Sequence, residues 1–405
     1  MSRIDSSTIK LNLVDLFVVV LIFMYGLSFY LQYSSIMIIL LLVTLLFYTH
    51  KGLYFNIQVL AISFLFLTYA GFSLVINNEN NLITVMSWFC MYLIGFVLMQ
   101  SSSQNKEKFL KNLLIYGSLG LLIHCYLNVF ISGEYYYLRQ YYDYWNGNLI
   151  KATQLAAWAG TVLGVLYYWF TNFKQQSAII KVLSILSCLC VLLISLNIAS
   201  RTLIISILLM LIFVFFEKMK KRKTKEQHFH FLLFTLILFF LVYFLFWFNL
   251  WGARDYIEES NLLSRWSNLI HDTNTNDGGR LTIWLYSINH LDELLFGGYN
   301  AREAVGELHN LWLDMLDAVG IIPFSFLLIV TFQIINNLRK LLKTNNISNQ
   351  FVSFMHMWYF FAFIQLFIEP VLNYGYINYL GFFWFVSGGL NGITIRRKEY
   401  EYKKF

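Results

Sequence analysis

A histidine and several acids stand together in the stretch AVGELHNLWLDMLDAVG, residues 304–320 of an otherwise apolar region. A neutral imidazole can accept a proton near pH 7, and a helix N-terminus disfavours the charged form. His309 is therefore our candidate general base. Asn310, Asp314 and Asp317 follow at helical spacing, which predicts one polar stripe beside it. The alternative interpretation is that His309 caps a helix or faces lipid headgroups.

Two arginines have settings that suit phosphate binding. Arg201, in SLNIASRTLII, falls in a very short connection between apolar segments, and Arg280 follows two glycines in NTNDGGRLTIWLY. A guanidinium binds two phosphate oxygens at once and stays charged at physiological pH. Together they predict a pyrophosphate clamp. The alternatives are a headgroup anchor or ion-pair partner for Arg201 and a solvated loop residue for Arg280.

Residues 134–146, EYYYLRQYYDYWN, hold seven aromatic rings. Tyrosine and tryptophan are enriched where a membrane meets water, so packing in an interfacial belt is one interpretation. The other is a platform on which sugars stack, with Arg139 and Asp143 hydrogen-bonding sugar hydroxyls. Both interpretations place this stretch at the membrane surface.

Metal and cofactor motifs are missing from the sequence. The stretch HDTNTNDGG, residues 271–279, departs from a calcium loop because Gly278 is one place late and Ile283 stands where the closing glutamate belongs. Histidine and cysteine do not occur at zinc-binding spacings, and no glycine-rich nucleotide motif is present. We therefore expect no metal and no cofactor.

The composition is that of a polytopic membrane protein. Of 405 residues, 58% are hydrophobic and 13% are charged, and the mean hydropathy is +0.60. Since a bilayer span needs roughly 20 mainly apolar residues, we predict one all-α transmembrane domain over residues 1–405, with about 12 transmembrane helices. The predicted spans are 11–31, 34–49, 56–76, 82–100, 109–131, 153–172, 178–197, 201–217, 229–250, 308–335, 351–371 and 376–393.

The distribution of lysine and arginine predicts the orientation, because cytoplasmic loops carry the excess. With both termini in the cytoplasm, all but seven of the 29 lysines and arginines lie on that side. The seven are Arg139, Lys151, Arg201, Arg254, Arg265, Arg280 and Arg302. Residues 251–307 then form one long extracytoplasmic loop with short helices. The basic cluster KMKKRKTK, residues 218–225, is expected to contact anionic lipids, so nucleic acid is not an expected partner.

Taken together, these features resemble the O-antigen polymerase and O-antigen ligase superfamily of bacterial polysaccharide assembly. The resemblance rests on SRT at 200–202, GGR at 278–280 followed by Trp284, FGGY at 296–299, and HN at 309–310 with Gly320 downstream. It also covers the predicted topology, in which one long outer loop precedes the span that begins beside the histidine. Pro323 departs from the ligase branch, which has a small residue or tyrosine there, and this favours the polymerase branch.

The resemblance implies an enzyme of the bacterial plasma membrane that transfers a glycan from an undecaprenyl-pyrophosphate carrier at the outer face, without nucleotide or metal. Arg201 and Arg280 would hold the pyrophosphate, and His309 would deprotonate the attacking sugar hydroxyl. We expect supporting or substrate-binding roles for Asn310, Asp314, Arg139 and Tyr299. The expected partners are the lipid-linked oligosaccharide, the lipid membrane and a chain-length regulator protein.

The expected reaction is polymerisation, in which the growing chain moves onto a lipid-linked repeat unit of O-antigen, capsule or a related polysaccharide. One alternative is an O-antigen ligase that transfers the finished chain to lipid A core. A transporter of lipid-linked sugars is less favoured, because transporters place ionisable residues near the bilayer midplane in repeated halves. Here Asp15 and Glu369 fall near the ends of predicted spans, and the two halves of the sequence do not repeat one another.

Overall fold

The computed structural model is built almost entirely of helices. It describes residues 13–27, 31–45, 55–79, 81–101, 106–135, 140–220, 280–343, 347–372 and 377–402. In chain order the helices are α1 (Leu13–Gly26), α2 (Leu31–Leu45), α3 (Ile57–Asn77), α4 (Leu82–Ser101), α5 (Lys106–Tyr126), α6 (Ala152–Gly160), α7 (Val162–Thr171), α8 (Ala178–Asn197), α9 (Arg201–Lys220), α10 (Arg280–Asn289), α11 (Leu291–Leu294), α12 (Asn300–Val305), α13 (Leu311–Val319), α14 (Ile321–Leu342), α15 (Asn349–Ile368) and α16 (Ile377–Tyr402).

Two irregular helical turns and one small sheet complete the described structure. A π-helical turn, Leu127–Ser132, continues α5, and a 3-10 turn covers Phe173–Gln175. The strands are β1 (Glu134–Tyr135), β2 (Gln140–Tyr142) and β3 (Leu149–Lys151), antiparallel in the order β1-β2-β3. In the second pair, Tyr141 lies opposite Ile150.

Seven of the described helices are long and apolar enough to cross a membrane. They are α3, α4, α5 with its π-helical turn, α8, α9, α14 and α15, and most of α1 and α2 forms shorter apolar helices. On α8 the small polar residues Ser184 and Ser187 point into the bundle, whereas Ile179 and Leu186 are exposed. Apolar side chains on the outside suit lipid and would be costly in water. The chain is therefore an α-helical membrane protein, as the composition predicts.

Close packing of α4 against α16 forms the centre of the bundle. A methyl group added at Gly95 or Gly388 would collide with backbone of the facing helix, at the carbonyls of Phe385 and Tyr92. Small residues allow such approach between membrane helices, where dispersion and polar contacts replace the hydrophobic effect. Asn391 of α16 also donates to the Tyr92 hydroxyl at 2.7 Å. Close backbone contact and a side-chain hydrogen bond thus hold the two helices together.

Two predicted spans are interrupted in the structure. The span predicted over 308–335 divides into α13 and α14 at Gly320, whose φ of +83° ends α13. The break between α6 and α7 at Thr161, within the span predicted over 153–172, is milder, because the Thr161 backbone stays right-handed (φ −62°, ψ −27°) and its hydroxyl donates to the Trp158 carbonyl at 2.7 Å. The predicted span 229–250, Arg139 and residues 251–279 of the predicted loop lie outside the described residues.

Connections between helices gather at two opposite ends of the bundle. At one end, Asn77, the last residue of α3, donates to the Ala318 carbonyl, and Lys151, the last residue of β3, donates to Glu307 at 2.7 Å. We call this the Glu307 end. At the other, the Glu217 end, residues of α7, α9, α14 and α15 line a cavity of about 560 Å³. Helices that cross a membrane in alternating directions are expected to place their connections at two opposite ends in this way.

Candidate functional site

A cavity of about 250 Å³ opens at the Glu307 end, between α3, α4, α13 and the segment after α15. Its wall contains the carboxyl groups of Glu79, Glu307, Asp314 and Asp317, the guanidinium of Arg302, and the rings of Tyr69, Trp88 and Tyr299. We call it the carboxylate cavity. Within the described part of the chain, no three histidine, cysteine, aspartate or glutamate side chains are grouped so that they could hold a metal ion.

The FGGY sequence, residues 296–299, forms a turn that packs against the break between α13 and α14. The amide of Gly298 donates to the Ala318 carbonyl at 3.3 Å, and that of Tyr299 donates to the Asp317 carbonyl at 2.9 Å. A Cβ atom at Gly297 would lie 2.9 Å from the amide nitrogen of Gly320. The backbones therefore approach too closely for side chains, which explains the glycines on both sides of this contact.

Tyr299 is held in the cavity wall by a hydrogen bond to a distant acid. Its hydroxyl donates to Glu79 Oε2 at 2.9 Å, and Asn81 donates to the same oxygen at 3.0 Å. Burial and the Glu79 carboxylate raise the pKa of the Tyr299 phenol, so it keeps its proton and remains a donor. The Arg302 guanidinium lies over the tyrosine ring, 5.1 Å from its centroid. These contacts fix the ring against α3.

Asp317 supports the same wall by capping α12. Its carboxylate accepts from the amides of Ala301 and Arg302 at 2.8 and 3.1 Å. Burial raises the pKa of Asp317, although both hydrogen bonds and the Arg302 charge oppose the shift. Asp317 thus joins α13 to the short helix that carries Arg302.

Glu307 and Lys151 form an ion pair at the edge of the cavity. The ammonium of Lys151 donates to Glu307 Oε1 at 2.7 Å, and Arg302 Nη2 lies 4.0 Å from the same oxygen. Burial opposes ionisation of Glu307, but the Lys151 hydrogen bond and charge outweigh it, with a smaller contribution from His309, and lower the pKa. Glu307 is therefore a carboxylate at neutral pH.

Asp314 differs from the other acids of the cavity because one of its carboxyl oxygens has no hydrogen-bond partner among the described residues. Oδ2 is buried and makes no hydrogen bond with any residue that the structure describes. Burial raises the pKa of Asp314 well above its ordinary value, and the negative charge of Glu307 adds to the shift. Asp314 is therefore the carboxyl group of the cavity best able to hold a proton near neutral pH.

His309 lies just outside α13, whereas the predicted span places it in a first helical turn. Its φ of +54° is left-handed, and Asn310 is the N-cap of the helix. The Asn310 side chain accepts from the amides of Trp312 and Leu313, both at 3.1 Å, and donates to the Phe367 carbonyl at 3.3 Å. Asn310 therefore holds the helix start, and the predicted stripe is reduced to Asp314 and Asp317, which both line the cavity.

Arg280 begins a helix that is tied to the chain beside His309. It is the first residue of α10, and Trp284, one turn later, donates through Nε1 to the Leu308 carbonyl at 2.9 Å. The Trp284 ring also packs edge-on against Phe367, 5.2 Å between centroids. For Arg280 itself the structure describes the backbone position. Arg280 and His309, 29 residues apart by number, thus belong to adjacent segments.

Arg201 begins α9 at the Glu307 end. The ring of Phe213 on α9 packs against Phe360 on α15, and the two helices run antiparallel because the end of α9 and the start of α15 line the same cavity. At about 1.5 Å per residue, Arg201 lies about 18 Å from Phe213 along α9, and Phe367 lies about 10 Å from Phe360 along α15. Both distances run toward the same end of the bundle, the Glu307 end. Arg201 is half-buried. Among the described residues, neither Arg201 nor His309 forms part of the carboxylate cavity wall.

The described end of the aromatic stretch, residues 140–146, is anchored by a buried pair whose histidine the sequence analysis did not single out. His124 of α5 is fully buried, its Nε2 lies 3.2 Å from Asp143 Oδ2, and its ring stacks on Trp158. The other oxygen of Asp143 accepts from the Trp145 amide at 2.7 Å. Asp143, predicted to bind sugar hydroxyls, therefore faces inward and holds the loop.

Sequence reasoning also missed Glu79, Arg302 and Glu307. Each is charged and falls at the edge of an apolar run on the predicted outer side, which was the available signal. Comparison with known proteins adds nothing to this assignment: no protein-family model matches the chain, and no curated protein matches it significantly. The resemblance to the O-antigen polymerase and ligase superfamily therefore stays a prediction.

Proposed function

We propose that the protein is a glycan polymerase of the bacterial plasma membrane. It transfers an undecaprenyl-pyrophosphate-linked chain onto a lipid-linked repeat unit at the outer face. The proposal is supported by the position of His309, of the helix starts at Arg201 and Arg280, and of the carboxylate cavity at the same end of an apolar bundle. A base, two cationic helix starts and a polar cavity are what glycosyl transfer from a diphosphate requires.

The proposed topology has about 12 spans, with both termini and the Glu217 end in the cytoplasm. The positive-inside rule supports this orientation, since Lys218, Lys220, Arg339 and Lys340 all lie near the Glu217 end of their helices. The Glu307 end then faces outward, where lipid-linked repeat units are assembled into polymer. The expected polymer is O-antigen, capsule or a related polysaccharide.

In the proposed reaction, His309 takes the proton from a hydroxyl of the acceptor sugar. The hydroxyl oxygen attacks the anomeric carbon of the donor, and the bond from that carbon to the diphosphate oxygen breaks. The lipid diphosphate leaves with the bonding electron pair, and Arg201 and Arg280 stabilise its charge. The reaction needs no nucleotide. The carboxylate cavity would repel a diphosphate, so the donor headgroup is assigned to the arginines outside it.

The proposal is tested by reconstituting the purified protein with a defined lipid-linked repeat unit and separating products by chain length. We expect a ladder from the wild-type protein and single repeat units from His309→Ala. His290→Ala is the matched control, because His290 contacts only its own helix turn in the described contacts, stacking on Tyr286 and bonding its carbonyl. A normal ladder from His309→Ala would remove the proposed base, and movement of the lipid without elongation would indicate a transporter.

The arginine clamp is tested separately with the donor. Arg201→Ala and Arg280→Ala should each raise the donor concentration needed for half-maximal rate, and lysine should restore activity only in part because the bidentate fork is lost. Full activity of both alanine variants would contradict the clamp. Transfer to lipid A core in place of a repeat unit would assign the protein to the ligase branch.

A further inference from the structure

Asp314, which lines the carboxylate cavity, has one oxygen atom for which the described residues supply no partner. Glu79 accepts from Tyr299 and Asn81, Asp317 caps α12, and Glu307 binds Lys151. Asp314 Oδ2 is buried and makes no hydrogen bond within the described residues. A buried polar atom without a partner destabilises the protein, and a ligand that donates a hydrogen bond to the atom removes that penalty.

The volume and the lining of the carboxylate cavity suit a single sugar ring. Trp88 and Tyr69 stand side by side, 6.3 Å between ring centroids and 30° between planes, and both line the cavity. Pockets for drug-sized ligands run from roughly 300 to 1,000 Å³. The volume of about 250 Å³ is smaller and suits a single sugar ring. Trp88 and Tyr69 are almost completely buried and contribute an apolar part of the wall, and an apolar wall beside hydrogen-bonding acids matches a ligand that has both apolar and polar surfaces.

The charge of the cavity excludes anionic ligands. Of the residues that line it, four carry carboxyl groups and Arg302 is the one cation. The raised pKa of Asp314 favours its neutral form, and the three carboxylates Glu79, Asp317 and Glu307 exceed the two cations Arg302 and Lys151 by one negative charge. A phosphate or a sugar acid would add charge repulsion, whereas an uncharged sugar adds only hydroxyl donors and acceptors.

From this arrangement we propose that the carboxylate cavity binds the uncharged terminal sugar of the acceptor, with a ring hydroxyl hydrogen-bonded to Asp314. The assignment rests on the proposed function and deepens it, because it separates an acceptor site from the diphosphate site. His309 follows Glu307 of the cavity wall by two residues. The charge of His309 also acts on Glu307, so the proposed base lies near the edge of the cavity, although it does not line its wall. Specificity follows: repeat units that end in a neutral sugar are accepted, and those that end in a uronic acid are not.

Binding is tested on the full-length protein in detergent, by calorimetry and tryptophan fluorescence, with methyl glycosides of glucose, galactose and N-acetylglucosamine and with methyl glucuronide. At least one neutral glycoside should bind saturably, and the glucuronide should not. Asp314→Leu should weaken binding about tenfold. Glu303→Gln, which changes an exposed acid outside the cavity, should leave it unchanged. Absence of binding by all three neutral glycosides, or full binding by Asp314→Leu, would overturn the inference.

A second variant keeps the test decisive if Asp314→Leu does not fold. Thr84→Phe fills the cavity from the α4 wall and should abolish glycoside binding while the protein remains stable to heat. In the elongation assay both variants should raise the KM for acceptor and leave the KM for donor unchanged. Glycoside binding without elongation would refute the proposed function alone, and elongation without glycoside binding would refute the cavity assignment alone.

Discussion

Alanine at Gly320 should cost far more stability than alanine at Gly306, although both glycines have almost the same backbone conformation. Their φ and ψ are +83° and −171° for Gly320 and +88° and −167° for Gly306. This region is essentially restricted to glycine, so alanine costs about 1–3 kcal/mol at either position. Gly306→Ala therefore measures the conformational cost by itself.

The surroundings of the two glycines differ. A Cβ atom at Gly306 meets nothing within 4 Å, whereas at Gly320 it would lie 2.7 Å from the Leu295 carbonyl oxygen. That oxygen also accepts the amide of Ile321 at 2.9 Å. Relief of the clash must therefore disturb a backbone hydrogen bond, and overpacking of this kind costs about 1–3 kcal/mol. We expect Gly320→Ala to lose about 1–3 kcal/mol more than Gly306→Ala.

Equilibrium unfolding by sodium dodecyl sulfate in mixed micelles measures this difference. Gly71→Ala is a further control, since Gly71 lies inside α3 with open space around it and alanine should stabilise the helix slightly. Gly320→Ala should also lower elongation, because the FGGY turn that carries Tyr299 packs on the same break. Equal stability losses at positions 320 and 306 would refute the reasoning that links the glycine to close backbone contact.

Two further predictions concern polar groups of α13. Asn310→Ala should lose about 1 kcal/mol in the same unfolding assay because two amides lose their cap, whereas Asn310→Asp should keep it; equal losses would contradict the capping role. The folded protein keeps Asp314 protonated to higher pH than the unfolded chain, so stability falls as pH rises from about 4 toward the raised pKa. Asp314→Asn should remove this slope, and an unchanged slope in its thermal melting temperature between pH 4 and 8 would contradict it.

The sequence by itself identified the membrane helices where the signal is local. The span predicted over 178–197 has the bounds of α8, because a continuous apolar run of this length has one stable arrangement in lipid. Membrane spans are predicted from hydropathy averaged over a window of residues. Such an average hid the breaks at Gly320 and Thr161, since a single residue hardly changes the mean hydropathy of the window. The structure shows both breaks through their hydrogen bonds.

The candidate site was visible in the sequence only in part. Asp314 was predicted as a supporting residue from its place near His309 and Tyr299 from the FGGY motif of the family resemblance, and both line the carboxylate cavity. Glu79 was not predicted, because it lies 220 residues before the Tyr299 hydroxyl that it binds. No helical period or motif spacing reports a contact at that distance. Composition and periodicity therefore determined that this chain folds in lipid. Only the packing of α3 against α13, with α4 completing the wall, decided which carboxyl groups share a cavity, because that choice depends on long-range contacts between helices.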